Sequence, residues 1–138
     1  MQLKIERYYR DGWVVKGMMS VDGRKFCETR EPGDSKSRRH VVEPGRYECR
    51  CVAADFSAMA LKVCRGRGQP KVLIGFHPVK QRVAGLICLG WADVYEELDA
   101  RELMETEETF RVFTKMVYTA FSRGETFELE VTELPPTA

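Results

Sequence analysis

Apolar and polar positions alternate through the first part of the chain in three runs: Leu3 to Arg10, Trp13 to Val21 and Arg24 to Glu31. Asp11-Gly12 and Asp22-Gly23 separate them. Asp-Gly supplies the positive φ angles that tight hairpin turns require, so the pattern predicts a three-stranded antiparallel meander. The next stretch, Pro32 to His40, is polar and without period, and reads as an exposed loop. After the Glu43-Pro44-Gly45 turn, Arg46 to Ala54 sets Tyr47, Cys49 and Cys51 against Glu48 and Arg50, which predicts a strand with one dry and one wet face. Met59 to Arg65 reads as a further strand, followed by a basic turn.

The most apolar passage lies between Lys71 and Trp91. Its two short runs, Val72 to Phe76 and Val83 to Leu89, are bounded by Gly, Pro and charged residues and suit buried central strands better than helices. His77-Pro78 must leave the first of them, because proline has no N–H for a ladder and holds the preceding residue extended. A period of two puts Leu86 and Cys88 on one side, Ile87 and Leu89 on the other. Beyond Trp91 the period changes. Asp99 and Glu102 have capping-box spacing, with the segment beyond them read as about one turn. From Thr106 onward Phe110, Phe113, Val117, Ala120 and Phe121 recur at helical spacing, which predicts a helix whose aromatic stripe faces the sheet and which ends at Gly124. Thr126 to Val131 alternates again as a closing strand.

These elements predict a mainly β protein with one α-helix (α+β): seven or eight mostly antiparallel strands in a small partly closed barrel or sandwich, with one packed C-terminal helix. Residues 1–134 read as a single domain and 135–138 as a short tail.

At 138 residues the chain is long enough for one core without metal or disulfide support. Its first ten residues are charged from Lys4 onward, unlike a signal peptide, and no apolar run approaches the ~18 residues that span a bilayer. A soluble, cytoplasmic protein without a membrane partner is the expectation. Five cysteines is an odd number, and Cys49 and Cys51 on one strand face are poorly placed to bridge each other, so reduced thiols are expected. The net charge of +1 conceals an asymmetry: residues 1–82 hold 18 Lys and Arg against 9 Asp and Glu, whereas residues 83–138 hold 4 against 12. Part of this contrast should be neutralised within the fold, and the rest favours self-association at low salt.

The candidate catalytic residues are His77 and Cys88, because an imidazolium beside a thiol raises the fraction of the attacking thiolate. The competing reading makes Cys88 a core thiol and His77 a strand-end histidine bonded to backbone. Cys49, Cys51, Cys64 and His77 lack the paired spacing of zinc ligands, so no metal site and no cofactor are expected. Arg38, Arg39, Arg65 and Arg67, with Trp91, are the candidate ligand-binding residues. Together with Lys36, His40 and Lys71 these cations could neutralise phosphates of an anionic ligand, a nucleotide or a nucleic acid, with Tyr8, Tyr9 and Trp13 offering rings for stacking.

Several motifs resemble a small uncharacterised domain family of phage and bacterial genomes: Gly17 with Val21-Asp22-Gly23, Phe26-Cys27-Glu28-Thr29-Arg30-Glu31, Pro44-Gly45-Arg46-Tyr47, Val72-Leu73-Ile74, and Gly85-Leu86-Ile87-Cys88-Leu89-Gly90. Pro44-Gly45-Arg46-Tyr47 and the passage from Val72-Leu73-Ile74 through Gly90 are also, more distantly, similar to L,D-transpeptidases of the cell wall, in which a Pro-x-Gly-type turn, a strand ending in a histidine and a Gly-Cys-Ile segment with the nucleophile recur. Here Leu86 stands where those patterns place cysteine, and the transpeptidase arginine and second histidine have no counterpart. The resemblance implies a lineage and a β-rich fold. The leading expectation is a non-catalytic binding or accessory domain of phage or bacterial origin, with an unidentified ligand. The alternatives are a divergent cysteine transpeptidase or hydrolase using Cys88 and His77, and a nucleic-acid or nucleotide-binding module using the basic half.

Overall fold

The computed structural model describes residues 1–12, 14–33, 42–53, 59–66, 68–69, 72–75, 86–89 and 100–133. Among them the chain forms β1 (Gln2–Arg10), β2 (Val14–Val21), β3 (Arg24–Pro32), β4 (Gly45–Ala53), β5 (Met59–Val63), β6 (Val72–Gly75), β7 (Leu86–Leu89), α1 (Ala100–Ser122) and β8 (Phe127–Glu133). Both hairpins marked by Asp-Gly form, and the positive φ angles predicted for them appear at the second, not at Asp11-Gly12. At the β2–β3 turn Asp22 and Gly23 have φ of 48° and 84°, and the Asp22 carboxylate accepts from Gln2 N at 2.7 Å, tying that turn to the start of β1. At the β1–β2 turn Asp11 N donates to Val14 O and Asp11 Oδ1 accepts from Val14 N.

The strands close into a barrel in the order β1-β2-β3-β7-β6-β5-β4-β8, with β8 returning to β1. Closure is complete, where the sequence pattern predicted a partly closed barrel or sandwich. The β1–β8 and β6–β7 pairs are parallel and the remaining pairs antiparallel. The reason lies in long-range pairing. Leu3 and Ile5 stand beside Leu129 and Val131, so the apolar stripes of the first and last strands bury each other.

An eight-stranded barrel is just wide enough for side chains to fill its axis. The inward positions are Leu3, Ile5, Met19, Val21, Cys49, Leu61, Val63, Val72, Ile74, Ile87, Leu89, Phe127, Leu129 and Val131, which make one contiguous buried cluster with residues of α1. Gly17 lies in the same layers. A Cβ there would stand 2.8 Å from Thr29 Oγ1 and 3.0 Å from Ile5 Cγ2, so β1, β2 and β3 approach as they do only because that position has no side chain.

Helix α1 packs against β5 and β7. Phe113 is fully buried with its ring 6.3 Å from that of Phe26 on β3, and Phe110 lies 3.3 Å from where a Gly75 Cβ would be on β6. The helix runs unbroken from Ala100 to Ser122 and is not limited to one turn at its start, while Asp99 lies outside the described residues. Its end is a Schellman cap: Gly124 at φ 73° lets Glu125 N reach Ala120 O and Gly124 N reach Phe121 O, each at 3.0 Å. Phe121 departs from expectation and is 55 % exposed. On a helix it stands roughly 80° from Phe113, and Ala120 takes the buried position of the last turn. No described helix is long and apolar enough to cross a membrane.

The two phenylalanines separate core from surface. Phe113→Ala should lower the unfolding free energy by ~3–5 kcal/mol, and Phe121→Ala should change it by less than ~0.5 kcal/mol. Chemical denaturation of both variants measures this, and a neutral Phe113→Ala would show that α1 does not close the core.

Candidate functional site

Of the candidate catalytic and ligand-binding residues, Cys88 and Arg65 are among those described, and His77, Arg38, Arg39, Arg67 and Trp91 lie outside them, as do Trp13, Lys36, His40 and Lys71. Cys88 occupies the middle of β7, Cα-paired with Arg30 on β3 and with Gly75 on β6. Its neighbours Ile87 and Leu89 are in the barrel core, so the alternation turns Cys88 to the outer face, the side on which Phe110 meets Gly75. There it is only 2 % exposed. Arg30 is buried beside it, donating to its neighbour's carbonyl, Thr29 O, at 3.1 Å and to Glu28 Oε2 at 2.9 Å. Arg65 is half-buried just past the end of β5.

None of the five cysteines forms a disulfide. Cys49 is buried in the core, and burial, with a smaller contribution from Cys64, pushes its thiol from 9.0 up to about 12. Burial also raises Cys51. Both shifts oppose the thiolate, which is the form that attacks carbonyls or binds metal. Among the described residues no group of three or more His, Cys, Asp or Glu side chains is arranged to hold a metal ion.

A buried ion cluster at one mouth of the barrel is the chemistry that sequence reasoning missed. Arg7 is 3 % exposed and donates Nε to Glu31 Oε2 at 3.0 Å and Nη2 to Glu31 Oε1 at 2.8 Å, while Nη1 reaches Glu133 Oε1 at 3.2 Å. Arg10 also bonds Glu133. Burial by itself lowers the Arg7 pKa; the hydrogen bonds and charges of Glu31 and Glu133 outweigh it, so the guanidinium ends above its ordinary value. Next to the cluster lies Thr29, fully buried, whose Oγ1 has no hydrogen-bond partner among the described residues. The signal was available. Leu3-x-Ile5-x-Arg7, Cys27-x-Thr29-x-Glu31 and Phe127-x-Leu129-x-Val131-x-Glu133 are three inward stripes that each end on a charge, one positive and two negative. With both Glu31 oxygens committed to one guanidinium, the cluster is built to hold β1, β3 and β8 together.

The outer surface carries a groove of about 350 Å³ between β1, β8 and β4, lined by Gln2, Arg46, Tyr47, Glu48, Glu128, Leu129 and Glu130. Gln2 Nε2 donates to Glu128 Oε2 at 3.0 Å, and Arg46 stands 3.9 Å from Glu130. The last of these contacts, with Arg7–Glu133 and Arg10–Glu133, joins the basic first part of the chain to its acidic last part, the internal neutralisation expected from the charge distribution. No protein-family model, no curated protein and no solved structure matches the chain.

Two measurements follow from these groups. Arg7→Met leaves Glu31 buried without its partner and should cost ~3–5 kcal/mol, whereas Arg7→Met combined with Glu31→Met should recover most of that loss; a double variant no more stable than the single one would show that the pair is not coupled. For Cys49 the folded pKa lies above the unfolded one, so its stabilisation is complete below pH ~9 and disappears as pH rises toward 12. The unfolding free energy of the wild type should therefore fall with pH across that interval by up to ~1.4 kcal/mol per unit more steeply than that of Cys49→Ala, and parallel curves would refute the assignment.

Proposed function

We propose that this chain is a non-catalytic binding domain of phage or bacterial origin that engages its partner through the outer face of the barrel. The observation that carries this reading is the position of Cys88. An acyl-transfer thiol needs an open path for its substrate. Cys88 instead sits in mid-strand between Arg30 and Gly75 with 2 % of its surface exposed. The filled barrel axis supports the same reading, since aliphatic side chains occupy the space where a wider barrel holds a ligand. Binding then falls to the outer surface, where the groove between β1, β8 and β4 presents charged and amide groups. The origin rests on the motif resemblance, from Gly17 through Gly90.

Thiol chemistry tests this directly. In the folded protein at pH 7, iodoacetamide should leave Cys88 unmodified for hours and label it once the chain is unfolded, and Cys88→Ser should change no measurable hydrolytic or transpeptidase activity. Rapid labelling of Cys88 in the native state, or a Cys88 acyl adduct with a cell-wall tetrapeptide that is lost in His77→Ala, would replace this reading by the enzymatic one.

A further inference from the structure

On the outer face of β4 the charges are sorted in a way that works against the isolated molecule. Glu48 lies directly across from Glu128 of β8, carboxylate against carboxylate, and two residues further along the same strand Arg50 lies directly across from Lys62 of β5, cation against cation. All four side chains are exposed. Like charges in directly opposed positions of a sheet are destabilising. Moreover, neither Arg50 nor Lys62 makes an ion pair among the described residues, although their nearest acidic neighbours stand only one strand repeat, ~7 Å, away. The remaining charges of the patch, Arg46 and Glu130, are already paired with each other.

We infer that this face is a two-fold self-association surface, its occupant a second copy of the chain. A two-fold contact must be complementary to itself. A block of charge −2 beside a block of charge +2 meets that condition: with the axis passing near Cys49, between the blocks, Arg50 and Lys62 of one copy lie over Glu48 and Glu128 of the other, and the reverse contact forms at the same time. The acidic block borders the groove between β1, β8 and β4, which gives the long cationic side chains a concave seat. A nucleic acid would be repelled by Glu48 and Glu128, and a cationic peptide by Arg50 and Lys62. The partner must carry both signs at one strand repeat, as this surface does itself. The helix does not cover the patch: Lys62 is exposed, and Phe110 meets Gly75 of β6 at the end of β5 where Ala60 stands, two residues along the strand from Lys62. This inference concerns the same outer groove as the binding reading above and names a second copy as its occupant, and the self-association test below needs no other partner.

Sedimentation velocity of the full chain, read at about 20 mM and about 500 mM salt, tests it, since the screening length shrinks from ~20 Å to a few ångströms over that interval. A dimer at low salt that dissociates at high salt is expected. Arg50→Glu with Lys62→Glu makes the face wholly acidic, and Glu48→Lys with Glu128→Lys makes it wholly basic; each double variant should dimerise at least tenfold more weakly than the wild type at low salt. Mixed in equal amounts, the two should form a 1:1 heterodimer. Circular dichroism establishes that each is folded, and Lys62→Ala, which should weaken the dimer without introducing a new charge, is the measure if either is not. A wild type that is monomeric at low salt, a dimer indifferent to these variants, or a mixture that does not associate would overturn the inference. So would salt-sensitive binding of a single-stranded oligonucleotide through Arg50 and Lys62 by a protein that stays monomeric.

Discussion

The fold depends on one pairing above all, the parallel ladder between β1 and β8. It joins Gln2 through Arg7 to Glu128 through Glu133, strands separated by nearly the whole chain, and without it the other strands would form an open sheet with two exposed edges. Local interactions alone do not favour it, because such a contact must offset the loop entropy of everything between its partners. What favours it is the match of two stripes, Leu3 with Leu129 and Ile5 with Val131, together with β4 pairing on the other side of β8. The consequence reaches function. A closed barrel has no free edge, so a partner cannot bind by adding a strand to it, which is one of the common ways a sheet recognises a peptide. For the binding domain proposed above, this leaves recognition to side chains and not to strand addition.

Local chemistry was legible in the sequence wherever it is self-contained. Asp22-Gly23 announces a hairpin because only certain residues take two successive positive φ angles cheaply, and Gly124 announces a helix end for the same reason. The stripe of Phe113, Val117 and Ala120 announces a buried helix face. Closure, and the parallel β1–β8 and β6–β7 pairs, were not legible, because a strand's period of two says which residues share a face and nothing about which strand lies beside it. Phe121 was misplaced for a related reason. Helical spacing gives angles, but where along the axis the packing stops is set by the neighbouring sheet.

The same distinction governs the candidate site. The alternation that sets Leu86 and Cys88 against Ile87 and Leu89 could be read in advance, but not which pair faces the barrel axis. Pairing of Cys88 with Arg30 and Gly75 answers that, and it turns the thiol to the helix-bearing side without giving it access to solvent. Arg65 is held half-buried beside the end of β5, while the rest of the basic set falls on segments outside the described residues. The ion cluster was missed because Arg7, Glu31 and Glu133 are unremarkable singly. Each reads as an ordinary surface charge until three strands bring their inward stripes to one mouth.

That cluster raises the question of why the barrel keeps charges where apolar residues of the same size would often be as stable or more so. Register supplies an answer. A shift of one residue would turn the entire apolar stripe of β1 outward, which hydrophobic burial already forbids. A shift of two residues preserves the alternation, so the apolar stripe resists it only weakly. A β1 that slipped by two against both of its neighbours would set Arg7 beside Val131, ~7 Å from Glu133, and would take it from Glu31 on β3, its bidentate partner inside the mouth. Leaving buried charges unpaired is worth ~3–5 kcal/mol, comparable with a large part of the stability of a small domain. The Arg7–Glu31–Glu133 contacts therefore act where the hydrophobic pattern is degenerate. They exclude the even-numbered slips between the first and last strands, and in doing so they fix which outer residues of β1, β8 and β4 stand together to form the groove and the charged blocks beside it.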